Sequence, residues 1–172
     1  LGRLLMSKYT HMLPKLQYNG VTIADITHRI DMLKEVSKFQ AMYYEIRISE
    51  EMTPEKVAED VYGDQDLWWV VCTINKVIDP FYDWVKREHE VYRYTDLAYA
   101  NRYDIHHYED QNYVQYPTDS PENDRVPITN LDWEIYKNDK LRSIMLLKPE
   151  HIPKVVEEFK SWMRNTKPQV QE

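Results

Sequence analysis

Between Met52 and Asn75 the chain spells two short helices joined by one turn, and their punctuation leaves few other readings. Thr53 is placed to cap the free amides of the first helix, and Pro54 stands where a missing N–H costs nothing. Met52 and Val57 have the spacing of a hydrophobic staple, whereas Lys56 stands where a capping box would need Glu or Gln. Gly63 supplies a left-handed stop, Asp64 caps the second helix, and Asn75 is expected to be that helix's left-handed terminator. In the second helix Leu67, Val70, Val71 and Ile74 make one apolar face, widened by Trp68 and Cys72. That leaves Trp69 with Gln65, Thr73 and Lys76 on the polar side. A large aromatic outside the core stripe marks a contact surface or packing beneath the chain's own C-terminal half, and the two weigh about equally.

Upstream, Tyr43 to Ile48 alternates as a half-buried strand with Tyr44, Ile46 and Ile48 on one face. Downstream, Val77 to Trp84 reads as a second extended segment interrupted by Pro80. The order strand, helix, helix, strand resembles a LysM module. Tyr62-Gly63-Asp64, Leu67-Trp68-Trp69-Val70, Asn75, Ile78-Asp79-Pro80-Phe81 and Asp83-Trp84 resemble, more narrowly, the LysM-bearing baseplate wedge proteins of T4-like contractile-tailed phages. The likeness extends to Ile105-His106-His107-Tyr108-Glu109, Arg125 to Asn130, Asn138 to Arg142 and Leu147-Lys148-Pro149-Glu150. It covers roughly positions 20 to 165.

The resemblance implies an α+β chain in which a LysM-like βααβ module, 42–85, is embedded in a larger mixed structure. An N-terminal arm and helix, 1–41, precede it. A C-terminal α+β region, 86–172, follows and ends in an amphipathic helix. It also implies a noncatalytic structural subunit of the virion tail baseplate, assembled in the host cytoplasm without a cofactor. Its expected partners are other wedge proteins, hub or sheath-initiator components and neighbouring copies in a ring. LysM modules commonly hold N-acetylglucosamine polymers, so peptidoglycan is the rival ligand. Carried over by position, the glycan groove would be Ser49, Glu50, Glu51, Met52 and Thr53 with Ile78, Asp79, Pro80 and Phe81. Bulky and acidic side chains stand there in place of the glycines that let a sugar approach the backbone. The aromatic residues expected at a protein interface are Trp69, Tyr82 and Trp84.

Composition narrows the alternatives. The 172 residues suit one domain, or a module with a subdomain built around it. A net charge of -7 argues against a broad phosphate-binding surface, and no apolar run approaches membrane-spanning length. A single cysteine excludes an internal disulfide and suits a reducing compartment. No signal-peptide pattern opens the chain, and with Leu1 in first position the natural start is expected to be missing or renumbered. Fourteen tyrosines and five tryptophans beside three glycines point to contact surface more than to mobile loops.

In chain order, 1–19 reads equally as an arm that orders on a partner or as a loose terminus, with Pro14 breaking any long helix. Asn19-Gly20 signals a tight hairpin between 16–18 and 21–23. Ile23, Ile26, Ile30, Leu33 and Val36 predict a helix over 24–38. A further helix is expected over 86–103, with Val85, His89, Tyr92, Tyr99 and Tyr103 inward. Strands are expected at 105–108, 126–133 and 141–147, with a long hairpin excursion or loop over 109–125. A last helix opens at Pro149 and carries Ile152, Val155, Val156, Phe159, Trp162 and Met163 as its stripe.

Catalytic constellations are missing from this pattern. His106 and His107 are strand neighbours expected on opposite faces, which argues against shared metal ligation. Cys72 sits among apolar residues with no basic neighbour, as a core thiol does. The carboxylates Glu50, Glu51, Glu59, Asp60, Asp64, Asp66, Glu122 and Asp124 are read as solvated or capping groups on polar faces rather than as a paired acid site. There is no phosphate loop, nucleophile elbow or zinc signature.

Overall fold

The structure, a computed structural model, describes residues 12–24, 42–122 and 124–165, without the side chains of Leu16 and 162–165. The helix expected over 24–38, apart from Ala24, lies outside the described residues, as does the packing of Trp162 and Met163. The described elements begin with β1 (Lys15–Tyr18), β2 (Val21–Ala24), β3 (Tyr43–Arg47), α1 (Pro54–Tyr62), α2 (Trp68–Ile74) and α3 (Pro80–Asp83). They continue with α4 (Glu88–Ala98), β4 (Ile105–Glu109), β5 (Gln115–Tyr116), β6 (Val126–Thr129), α5 (Asn130–Lys140), β7 (Ser143–Leu147) and α6 (Ile152–Asn165). The chain is α+β and divides into two compact units. Leu1–Ile46, Met52–Pro80 and Met145–Glu172 belong to the first, Arg47–Glu51 and Phe81–Ile144 to the second.

In the first unit β1 and β2 form an antiparallel hairpin in which Tyr18 faces Val21 and Leu16 faces Ile23. Asn19 and Gly20 both take positive φ, 48° and 77°, as a two-residue turn matched to strand twist demands. The Thr53 hydroxyl accepts from the Lys56 N–H at 3.3 Å, and Pro54 opens α1. Gly63, at φ 70°, ends that helix with its N–H on the Glu59 carbonyl. Asp64 caps a short 3-10 turn, Gln65–Leu67, which runs directly into α2.

The end of α2 differs from expectation. Asn75 keeps φ -90°, and the left-handed residue is Lys76 at φ 58°. Val77 N–H reaches the Cys72 carbonyl at 2.9 Å and Lys76 N–H the Thr73 carbonyl at 3.2 Å, the paired bonds of a Schellman ending. Freed from the terminator position, Asn75 does something more consequential. Its Oδ1 accepts from the Met145 N–H and its Nδ2 donates to the Met145 carbonyl, both at 2.8 Å. The same amide also donates to the Val71 carbonyl. One side chain thus completes the strand hydrogen bonding of β7 and ties it to the last turn of α2.

The second extended segment expected at 77–84 does not form a strand. Pro80 fixes a helical φ and opens α3, a single helical turn. The sheet partner of β3 is instead β7, some hundred residues on. Ile48 N–H bonds the Arg142 carbonyl and Lys148 N–H the Met42 carbonyl, so the pair runs antiparallel with Glu45 opposite Met145.

Leu13, Trp69, Val70, Leu147, Ile152, Val155 and Phe159 form the buried core of this unit. The described end of the N-terminal arm therefore packs into its own unit through Leu13. Trp69, expected on the polar side, is only 2% exposed. Its ring lies 4.4 Å from that of Phe159, so α6 covers the face that a two-helix reading leaves open. With Trp69, Val70, Val71 and Cys72 all buried, α2 is enclosed all round. Burial pushes the Cys72 thiol up to about 12, with the Glu55 charge adding to it, as suits a core residue.

In the second unit β4 is flanked by β5 and β6 in antiparallel order β5-β4-β6, which is the expected hairpin excursion. The helix expected over 86–103 is shorter, and its inner positions are Val91 and Thr95. Val85 is buried as expected, but His89 and Tyr103 face solvent, because the helix ends at Ala98 and turns Val91 and Thr95 inward. The strand expected over 126–133 stops at Thr129. There the Thr129 hydroxyl accepts from the Asp132 N–H, and the Asp132 carboxylate accepts from the Thr129 N–H, so a capping box starts α5.

Two outcomes follow for this architecture. Lys76→Gly should raise unfolding free energy in urea by about 1 kcal/mol, since glycine carries no penalty at positive φ. Asn75→Ala should lower it by about 1–3 kcal/mol, because the Met145 amide and carbonyl lose their partner.

Candidate functional site

The densest polar and aromatic chemistry lies within the second unit, between α4, β4 and α5. The hydrogen-bond pairing of β4 with β6 shifts register between Ile105 and His107. A bulge of this kind re-aims side chains, and it overturns the expectation that the two histidines point apart. His106 Nδ1 and His107 Nδ1 are 2.8 Å apart, so one ring donates and the other accepts. His107 Nε2 lies 3.0 Å from the Glu109 carboxylate. His106 stacks on Trp133 at 5.3 Å and Trp133 on Tyr136 at 5.5 Å, while Tyr99 meets His106 edge-on. Among the described residues no group of three or more His, Cys, Asp or Glu is placed to hold a metal ion.

Glu134, a buried acid on α5, accepts from the Tyr99 hydroxyl at 2.7 Å and pairs with Lys137 at 2.6 Å. Burial, and next the bond to that carboxylate, push the Tyr99 phenol up to about 12. Asn138 on the same helix repeats the device seen at Asn75. Its Oδ1 accepts from the Lys86 N–H at 2.8 Å and its Nδ2 donates to the Lys86 carbonyl at 2.9 Å. This bidentate clasp fixes the chain leading into α4. Between these groups lies a cavity of about 260 Å³ walled by Tyr82, Val91, Tyr94 and Leu141, with Lys86, Glu134 and Lys137 contributing charge.

The residues singled out from sequence fare unequally. Tyr82 is exposed and lines this cavity, whereas Trp84 is 5% exposed and buried. An extended segment would alternate its side chains, but the helical turn of α3 sends Trp84 inward. Phe81 is 85% exposed and Ile78, Asp79 and Pro80 are exposed too. Of the other carried-over positions, Ser49 and Glu51 are exposed and Glu50 lies 3.4 Å from Arg142. Thr53 is occupied as the α1 cap beside a half-buried Met52. Missed by sequence reasoning were Glu134, Lys86, Asn138 and Trp133. The signal that would have found three of them is Thr129-x-x-Asp132, which starts the helix that carries them.

Each unit carries exposed aromatic side chains, Tyr18 in the first and Phe81, Tyr82 and Tyr103 in the second. Residues 8–171 match the profile of the family described as Base plate wedge protein 53, and the chain belongs to that family. It is similar to Baseplate wedge protein gp53 of Enterobacteria phage T4, with 24% identity over 55% of this chain and 60% of that protein. The chain thus aligns with less than two thirds of the length of that relative.

The histidine pair makes a pH prediction. Burial, then His107 and Lys137, hold the His106 pKa below its ordinary 6.5, and Glu134 only partly offsets them. The unfolded chain therefore binds a proton near pH 6.5 that the folded chain refuses until lower pH. Stability should be complete above pH 6.5 and decline as pH falls from there toward the lowered folded value. Urea midpoints measured from pH 7.5 to 5 should show this fall, and His106→Gln should flatten it.

Proposed function

We propose that this chain is a noncatalytic structural subunit of the phage tail baseplate wedge, whose protein–protein contacts join wedges around the hub. The observation that carries this reading is the family match over 8–171, which takes in both units rather than one module. The partners are other wedge proteins, hub or sheath-initiator components and neighbouring copies in a ring, met during assembly in the host cytoplasm. A ring built from one kind of subunit needs two different faces of each copy. Exposed Phe81 and Tyr82 belong to one of them, as amphipathic aromatics commonly anchor protein interfaces.

We also read β3, α1, α2 and β7 as a LysM-like βααβ module whose second strand arrives only after the second unit has been inserted. The antiparallel pairing of β3 with β7 and the two helices between them support that reading. In it the module is a scaffold for assembly. The acidic Glu50 and Glu51 and the bulky Pro80, standing where a glycan groove has glycine, support a protein partner over a glycan there.

Size-exclusion mixing with the other wedge proteins, beside sedimentation with insoluble peptidoglycan, tests the reading. Comigration with wedge proteins and no retention on peptidoglycan is the expected result, with Phe81→Ala weakening comigration. Retention on peptidoglycan that Phe81→Ala abolishes, without wedge association, would replace the assembly role by glycan binding.

A further inference from the structure

We infer that the cavity of the second unit is a receptor for a carboxylate side chain presented by a partner protein, held by Lys86 with Lys137 beside it. The charges in its walls are unequally satisfied. The Glu134 carboxylate already takes a phenol from Tyr99 and an ammonium from Lys137. The Lys86 ammonium donates to the main-chain carbonyl of Tyr82 at 2.8 Å and lies 5.9 Å from the centre of the Tyr94 ring, so its contacts are neutral groups. Burial lowers the Lys86 pKa, outweighing the nearby Asp83, Glu134 and Glu90 charges, and the Lys137 charge adds to the lowering. An entering carboxylate would give this ammonium a direct ionic partner.

Shape and rigidity agree. About 260 Å³ suits a side chain or two, below the usual size of a metabolite pocket. Val91, Leu141 and the rings of Tyr82 and Tyr94 would enclose the methylenes of a glutamate. The Asn138 clasp holds the Lys86 main chain from both its N–H and its carbonyl, so the receptor is preformed and little ordering accompanies binding. The proposal rests on the assembly reading for the source of the acid, a segment of another baseplate protein. The cavity itself can be tested apart from that.

The probe is N-acetyl-glutamate methylamide, titrated into the full chain labelled with 13C at the lysine ε carbon, with N-acetyl-glutamine methylamide as the neutral control. The expected result is a saturable shift at Lys86 with the glutamate probe and an upward move of its pH midpoint. The glutamine probe should leave it unchanged. Lys86→Met, which keeps the aliphatic stem, should weaken binding about tenfold, read at the Lys137 ε carbon, while the amide spectrum of the free protein stays the same away from the substitution. If that variant unfolds, Lys137→Met serves in its place and should weaken binding by a smaller factor. Equal response to both probes, or none to either, would overturn the proposal. Binding of the probe by a chain that fails to comigrate with wedge proteins would leave the receptor standing and defeat the assembly role.

Discussion

The first unit depends on the bidentate bond between the Asn75 side chain and the main chain of Met145. In an antiparallel pair every second residue turns its N–H and C=O away from the neighbouring strand. Met145 is such a residue relative to β3, and its outward groups would need another strand or water. Asn75 supplies the geometry of a strand from the end of a helix, with both distances 2.8 Å. The bond therefore satisfies the outer edge of β7 and sets where α2 lies against it. With Tyr62 accepting the Leu147 amide, both helices of the unit are keyed to one strand.

The second unit uses the same chemistry. Asn138 takes both main-chain groups of Lys86, which places the entry to α4 against α5. Asparagine is suited to this because its amide matches a peptide group in donors, acceptors and spacing. Two units built from short elements gain fixed joints without long strands.

Much of this was legible wherever the controlling interaction is local. Thr53, Pro54, Gly63 and Asp64 announce their caps, Asn19-Gly20 its hairpin, and the stripe through Ile152, Val155 and Phe159 its buried face. The misreadings share one cause, a partner distant in sequence. Trp69 could be read as a contact surface or as packed beneath the C-terminal half, because periodicity within α2 contains no information about α6. Val77 to Trp84 looked like the partner of β3 because β7 lies beyond an entire inserted unit. His106 and His107 looked opposed because strand alternation fails at a bulge, which no residue type there announces. The α5 helix was concealed by the apolar Val126-Pro127-Ile128 run before it, although its capping box was readable. At the candidate site, the sequence pointed to Tyr82 but not to the buried acid and clasped lysine that give the cavity its charge.

The central claim is that β3 closes on β7 across the inserted unit. The double variant Glu45→Cys, Met145→Cys tests it most directly, because the two positions face each other as a pair without mutual main-chain hydrogen bonds, where Cβ atoms lie about 4.5–5.5 Å apart. Mild oxidation of the folded protein should join them within the chain, leave Cys72 buried and unreacted, and raise the urea midpoint. Free thiols at 45 and 145 after oxidation of the native protein, or linkage only once it is unfolded, would contradict the pairing and the module built on it.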